Sequence, residues 1–261
     1  MTTVWGEWGI MAAPGMIDSG RIISRGFGAL GKNFPAFFGA ALLLTGLPAF
    51  ALQYLLVSQF FADSAFDSNV TAYGVGWLIS WILGAFLQGI LVRATVLHLA
   101  GQSAEIGQSI LTALRLFLPI VAISFLVFLC AILGLILLIV PGVMFYIAMI
   151  VAIPALIEEK AGVFGSMGRS FRLTRGSWLP IFALSVIYVM FAVSVATLFS
   201  LVFGVRNFGM GYNDPMLAAA VSALTTTVTS MVAGAMIASL YIELRSVKEG
   251  ATTDDLASIF A

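Results

Sequence analysis

The feature that most constrains this chain is Leu116–Ile157, a run of 42 positions without a charged residue. A helix of about 20 apolar residues crosses the hydrocarbon core of a bilayer. The run is therefore too long for one crossing and right for two. Pro141-Gly142 lies where a tight turn is needed, because proline removes a helical donor and glycine permits positive φ. We predict two spans, Leu116–Val140 and Val143–Ile157, joined by this structural turn.

The rest of the chain has the same apolar character. Of its 261 residues, 61% are hydrophobic and 9% are charged, whereas a typical soluble domain carries about 25% charged residues. Four further apolar stretches have the length of a span. They are Pro35–Phe61, Tyr73–Arg93, Trp178–Phe203 and Pro215–Leu244. The sequence predicts an all-α polytopic membrane protein with six transmembrane helices, forming one integral membrane domain over residues 1–261.

The basic residues give the expected orientation. An even number of spans places both termini on one side, and that side holds every one of the 12 basic residues except Arg206. The others are Arg21, Arg25, Lys32, Arg93, Arg115, Lys160, Arg169, Arg172, Arg175, Arg245 and Lys248. Because positive residues favour the cytoplasmic face, we expect both termini in the cytoplasm and the Asp63–Ala72 and Val205–Asp214 loops outside.

Three amphipathic segments precede the first, third and fifth spans. They are Met16–Lys32, Glu105–Phe117 and Val163–Arg175. Segments of this kind are typical of helices that lie in the membrane surface rather than cross it, so we expect three on the cytoplasmic side. The alternation of one surface helix with two spans predicts a threefold repeat, over residues 16–99, 104–157 and 163–244.

The stretch Glu158–Trp178 gathers four of the basic residues between two apolar spans. One interpretation is that they only fix topology and anchor a surface helix. The other is that guanidinium groups bind the phosphates of anionic lipids bidentately. The candidate lipid contacts are Arg169, Arg172, Arg175, Arg21 and Arg25. The expected partners are therefore membrane phospholipids, and a net charge of zero gives no indication of nucleic-acid binding.

The sixth predicted span is unusually rich in hydroxyl groups. Thr225, Thr226, Thr229 and Ser230 either bond to their own helix backbone in a closely packed helix, or form a polar wall along a substrate path. In the second case Gln53, Gln59 and Gln88 belong to the same wall.

One long motif resembles a known family. LLIVPGVMFYIAMIVAIPALIEEKAGVFGSMGRSFRLTRGSWLPIF, Leu137–Phe182, is similar to the membrane domain attached to some bacterial glycerophosphodiester phosphodiesterases and to related stand-alone bacterial membrane proteins. Tyr241–Phe260 is similar to the ending of that family. The resemblance implies a six-span helical domain in the bacterial cytoplasmic (inner) membrane, without implying an activity. The phosphodiesterase catalytic domain is absent from this sequence.

No set of residues predicts catalysis or a bound cofactor. His98 is the single histidine and Cys130 the single cysteine, so neither a catalytic triad nor a metal site is expected, and we predict that the chain is not an enzyme. Arg93 and Glu243 lie near the inner ends of their spans as candidates for an ion pair. Glu158 and Glu159 are expected to bond to neighbouring surface helices.

Two functions remain open at this point. A lipid-interacting or scaffolding protein is favoured by the three surface helices and by an expected lack of buried charge. A small-solute or lipid transporter or channel is favoured by the polar sixth span and by the repeats, since many transporters contain repeats. Against the transporter, the spans are expected to lack broken helices with buried charge.

Overall fold

The computed structural model describes residues 17–60, 70–101, 106–204 and 214–250, and the regular secondary structure of these ranges is helical throughout. Six segments are long and apolar enough to cross a membrane, as predicted. They are Phe34–Leu56, Tyr73–Leu99, Phe117–Ile136, Ile139–Glu159, Trp178–Val202 and Pro215–Glu249, here called spans one to six. The predicted external loops lie largely outside the described residues. The part of the Tyr241–Phe260 motif that follows Gly250 also lies outside them.

The helices are named in chain order, α1 to α11. The helices that precede spans one, three and five are α1 (Ser19–Lys32), α5 (Ile106–Arg115) and α9 (Gly162–Thr174). Span one consists of α2 (Phe34–Ala41), a π-helical turn (Leu42–Gly46) and α3 (Leu47–Phe60), and span two is α4 (Val70–Leu99). Span three is α6 (Phe117–Leu137), and span four consists of α7 (Ile139–Met149) and α8 (Ala152–Glu159). Spans five and six are α10 (Trp178–Val202) and α11 (Pro215–Glu249). The order of one short helix and two spans thus occurs three times, while the threefold repeat itself stays a prediction.

The turn between spans three and four is not where the sequence predicted it. Leu138 alone breaks the helix, with an extended backbone of φ −159° and ψ 132°. Pro141 and Gly142 lie inside the first turns of α7, and Gly142 does not have positive φ. Proline is well suited to the start of a helix, where its missing N–H has no partner to lose. The predicted Pro141-Gly142 turn is therefore wrong, and so are the boundaries placed on it.

Gly142 instead allows spans three and four to approach each other closely. A Cβ at Gly142 would lie 2.5 Å from the backbone nitrogen of Leu135 and 2.9 Å from the carbonyl carbon of Gly134. A Cβ at Gly134 would in turn lie 2.8 Å from Cα of Gly142. Glycines at such positions allow helices in membranes to pack backbone against backbone.

Span four is a broken helix. α7 ends at Met149 and α8 begins at Ala152, with Ile150 and Val151 in a turn between them. Pro154 supplies the cause, since it has no N–H to donate to the carbonyl of Ile150. Just before the break, the carbonyl of Ala148 accepts hydrogen bonds from Oγ of Ser170 at 2.7 Å and Oγ1 of Thr174 at 3.3 Å, both on α9. The expectation that the spans lack a broken helix is wrong.

On α5 and α9 the buried residues are mainly small or polar, and several large apolar residues are exposed. Ser109 and Ser166 are buried, whereas Phe164 is 80% exposed and Leu114 is 59% exposed. This arrangement suits a helix lying on a bilayer, because large apolar side chains are stable in lipid and small ones permit close packing against neighbouring helices.

The helix α1 also buries large apolar residues. Ile22 is 0% exposed and Leu30 is 4% exposed, while Phe27 is 48% exposed. Gly26 packs on α11, where a Cβ would lie 3.2 Å from Sδ of Met236. α11 is the central helix of the assembly and also packs against span one, α4 and α10.

Candidate functional site: a buried ion-pair cluster and two clefts

In the described part of the chain, the most deeply buried charge is Glu243, near the end of α11. Its side chain is 0% exposed. Nη1 of Arg25 lies 2.9 Å from Oε2 of Glu243, and Nη1 of Arg21 lies 3.3 Å from Oε1. Arg21 also pairs with Asp18, which caps the start of α1. Two guanidinium groups from α1 therefore compensate a carboxylate that has no contact with solvent, and α1 is held against α11.

A second buried pair connects spans two and four. Nη1 of Arg93 donates to Oε2 of Glu158 at 2.8 Å, and the Glu158 side chain is 1% exposed. The candidate pair between Arg93 and Glu243 is therefore wrong. Sequence reasoning missed the correct partner because the two glutamates lie at the same end of different spans, and only helix packing decides which one faces Arg93.

A third group of charges holds α9. Arg169, which is 16% exposed, donates through Nε to the carboxylate of Glu159 at 2.8 Å and also pairs with Glu249. The hydrogen bond with Glu249 is the largest cause of a raised pKa for Arg169. The hydroxyl of Tyr241 donates to Glu159 at 2.8 Å, and Arg245 lies 3.3 Å from Glu249. The expectation that Glu159 bonds to a surface helix agrees with these contacts.

These three groups, called here the ion-pair cluster, contain five arginines and five carboxylates. The members are Arg21, Arg25, Arg93, Arg169, Arg245, Asp18, Glu158, Glu159, Glu243 and Glu249. Their charges cancel. The premise that the protein lacks buried charge is therefore wrong, because Glu158 and Glu243 are both buried.

The cluster divides the candidate lipid contacts into two sets. Arg21, Arg25 and Arg169 are bound to carboxylates within the protein. Arg172 and Arg175 are exposed, and neither side chain has a partner among the described residues. Four further cations are exposed and have no carboxylate partner among the described residues. They are Lys32, Arg115, Lys160 and Lys248, the last of which donates to the backbone oxygen of Arg175 at 3.0 Å.

The hydroxyl groups of span six bond mainly to backbone. Oγ1 of Thr229 donates to the carbonyl of Thr225 at 2.8 Å, and Oγ of Ser230 donates to that of Thr227 at 3.2 Å. Ser230 also contacts Oγ1 of Thr45 on span one at 2.9 Å. Thr226 is half-buried beside them. This geometry fits close helix packing.

Two clefts lie among the spans instead. The first has a volume of about 380 Å³ and lies between α4, α6 and span four, with Ile237 of α11 at its edge. The second has a volume of about 310 Å³ and lies between α4, span four, α10 and α11. Gln88, Tyr146, Ile150 and Ile237 line both. Of the glutamines proposed for a polar wall, the side chain of Gln59 lies outside the described part of the structure, and of the other two Gln88 lines these clefts while Gln53 does not.

Sequence reasoning also missed a buried polar face on α9. Ser166, Ser170 and Thr174 are each 0% exposed, at intervals of four residues. The interval was a visible signal, since residues four apart share one face of a helix. The sequence prediction considered the apolar residues and the arginines of this helix, which lie on its other faces. Among the described residues, no group of histidine, cysteine or carboxylate side chains is arranged to hold a metal ion.

Together, the six spans, the short amphipathic helices and the buried ion-pair cluster define a multi-pass helical membrane protein. Comparison of the chain with protein-family models, with curated proteins and with solved structures yields no match. The resemblance to the membrane domain of bacterial glycerophosphodiester phosphodiesterases therefore rests on the quoted motifs alone.

Proposed function

We propose that this protein is a non-enzymatic, multi-pass protein of a bacterial inner membrane that binds anionic phospholipids at its cytoplasmic face, as a lipid-interacting or scaffolding component. Both termini lie in the cytoplasm in this proposal, as the distribution of basic residues favours. The related membrane domain of glycerophosphodiester phosphodiesterases, which the motifs resemble, is consistent with a role beside lipids.

The observation that carries the proposal is the separation of paired from unpaired cations. The ion-pair cluster uses its own carboxylates to neutralise five arginines, whereas Arg172 and Arg175 on α9 stay exposed. On the same helix, Phe164 and Phe171 are exposed apolar side chains that suit the lipid. A basic amphipathic helix with this division binds anionic headgroups through the charges that the protein leaves unpaired.

The test compares lipid retention by native mass spectrometry after mixing with phosphatidylcholine and phosphatidylglycerol. Each basic residue near a membrane surface contributes about 1 kcal/mol of attraction to anionic lipid, which is about fivefold in affinity. Arg172→Gln combined with Arg175→Gln is therefore expected to reduce phosphatidylglycerol retention by about 25-fold. Arg172→Lys with Arg175→Lys is expected to lose less, because lysine keeps the charge but lacks the planar fork.

A matched control removes two exposed cations from other helices, with Lys32→Gln and Arg115→Gln. A smaller loss in this control than in the α9 variant supports a headgroup site on α9. If the double glutamine variant at Arg172 and Arg175 retains as much phosphatidylglycerol as the wild type, the proposal fails.

A transporter or channel is the second candidate function. The observation that favours it is the break in span four at Ile150–Val151, because the same span carries Glu158, which is buried and paired with Arg93 of span two. Broken helices with buried charge mark the substrate and ion sites of many transporters. Flux of neutral and charged solutes, and flip-flop of a fluorescent lipid, in liposomes with and without the protein would decide. Rates equal to those of empty liposomes would exclude this function.

A further inference from the structure

We propose that the two clefts form one binding site for an uncharged, single-chain amphiphile drawn from the bilayer, with Gln88 as its hydrogen-bonding group. The clefts meet at Gln88, Tyr146, Ile150 and Ile237, which line both of them. Their volumes, about 380 and 310 Å³, fall in the range of small-molecule sites. This proposal is independent of the exposed arginines and stands or falls separately from the proposed function.

The polar groups of the clefts point to a ligand. Gln88 forms no hydrogen bond with any described residue, although an amide offers two donors and an acceptor. Oγ of Ser124 in the first cleft is buried and also lacks a partner in the described part of the chain. By contrast, Ser185 and Tyr188 in the second cleft already donate to backbone carbonyls. The unused hydrogen-bonding capacity is therefore concentrated around Gln88.

The depth of Gln88 makes this capacity significant. Gln88 lies eleven residues before Leu99, the end of α4. At 1.5 Å per residue this is about 16 Å from that end, near the middle of a hydrocarbon core about 30 Å thick. Bulk water is absent at that depth, and an amide without a partner there is strongly unfavourable. A ligand that brings its own hydroxyl or carbonyl group relieves that cost.

The lining also limits the charge and shape of the ligand. Among the described residues, neither cleft is lined by an aspartate, glutamate, lysine, arginine or histidine, so a charged group would enter without a counter-ion at high cost. Trp81, Phe128 and Ile153 supply apolar walls to the first cleft. The chemistry fits a neutral polar group on an apolar chain, and the size fits one chain better than the two of a phospholipid.

A route from the lipid exists at the second cleft. Tyr146 and Val189 line that cleft while remaining 52% and 56% exposed on the outer surface of the spans. An amphiphile in the bilayer therefore reaches Gln88 by lateral movement between α7 and α10, without crossing the charged end of the molecule.

The experiment uses the full chain in phosphatidylcholine nanodiscs, with 1-monooleoylglycerol as the probe. The measurements are the melting temperature and the bound probe, by native mass spectrometry. Oleate at alkaline pH tests the charge requirement, and octadecene tests the need for a polar group. Monooleoylglycerol is expected to raise the melting temperature of the wild type and to bind at least fivefold more tightly than either comparison probe.

Two variants test the role of Gln88 and of the cleft volume. Gln88→Leu is expected to bind the probe at least fivefold more weakly, without lowering the melting temperature of the ligand-free protein, because the amide has no partner to lose. Ala131→Phe, which fills the first cleft, is expected to weaken probe binding while leaving Gln88 in place. Gln53→Leu is the matched control on span one, and its probe affinity is expected to equal that of the wild type.

Three results would overturn the proposal. Equal probe binding by the wild type and Gln88→Leu would show simple partition into lipid. A ligand-free Gln88→Leu protein that melts several degrees lower would show that the amide is bonded within the protein. Oleate binding as tight as that of monooleoylglycerol would contradict the requirement for a neutral ligand.

Discussion

A single missing methyl group explains how spans three and four approach each other. At Gly142 a Cβ would collide with the backbone of Leu135 and Gly134. The sequence indicated that a glycine is required at this position, because Gly142 follows a proline in a long apolar run. It could not show that the requirement is space rather than a positive φ, since that depends on the neighbouring helix.

We therefore expect Gly142→Ala to destabilise the protein. In an isolated helix the same change is stabilising by about 0.5–1 kcal/mol. Here the collision with Leu135 outweighs that gain, and a net loss of about 2 kcal/mol is expected. Melting in detergent measures the effect. Gly39→Ala on α2, which has open space around it, is the control and is expected to be neutral or stabilising. Equal melting temperatures for the two variants would refute the close-packing explanation.

Glu243 gives the second prediction at this scale. Glu243→Gln removes the buried carboxylate with which Arg25 and Arg21 pair, so that Arg25 loses its carboxylate partner and Arg21 keeps only Asp18. Breaking a buried ion pair costs about 3 kcal/mol, so a marked fall in the melting temperature is expected. Glu249→Gln is the comparison, because that side chain is 31% exposed and solvent screens its loss. A loss no larger at Glu243 than at Glu249 would contradict the assigned role of burial.

At the scale of elements, α9 has one face exposed at the surface of the protein and another buried against span four. Phe164 and Arg172 face outward, whereas Ser166, Ser170 and Thr174 face the broken span four. Periodicity was sufficient to predict α9 as an amphipathic helix. The polar face was not predicted to be the buried one, because that depends on its packing against the carbonyl of Ala148 in span four.

Two serines on α9 allow a matched test of this contact. Both Ser166 and Ser170 are fully buried, but Ser166 donates to Gly162 of its own helix while Ser170 donates to Ala148 of α7. Ser170→Ala is expected to cost about 1 kcal/mol, because a buried carbonyl loses its shortest donor. Ser166→Ala is expected to have little effect on the melting temperature. If both variants melt alike, the bond to Ala148 does not stabilise the break.

For the whole molecule, hydropathy predicted the number of spans correctly, and the helical content followed from it. The pairing of charges between elements was not predicted, with the exception of Glu159 and a surface helix. Glu243 was the candidate partner of Arg93, but Glu158 lies at the same end of its span, and only the packing of the helices decides which of them meets Arg93. The two clefts likewise arise only from the packing of separate spans.

Orientation in the membrane is the prediction at this scale. Single cysteines at Ser68 and Asn207, which lie outside the described residues, are expected to react with an impermeant thiol reagent in intact cells when Cys130 is replaced by serine. A cysteine at Ser24, which is exposed on α1, is expected to react only after the membrane is permeabilised. The reverse labelling pattern would invert the orientation.

The pairing of α1 with Glu243 has a consequence for biosynthesis. Arg21 and Arg25 leave the ribosome early, whereas the carboxylate that neutralises them belongs to the last span and is made after more than 200 further residues. Until α11 is made, Arg25 therefore lacks its carboxylate partner, while Arg21 has only Asp18 of its own segment. The contact between α1 and α11 forms only after α11 inserts, so a chain truncated before α11 would leave Arg25 without the carboxylate of Glu243.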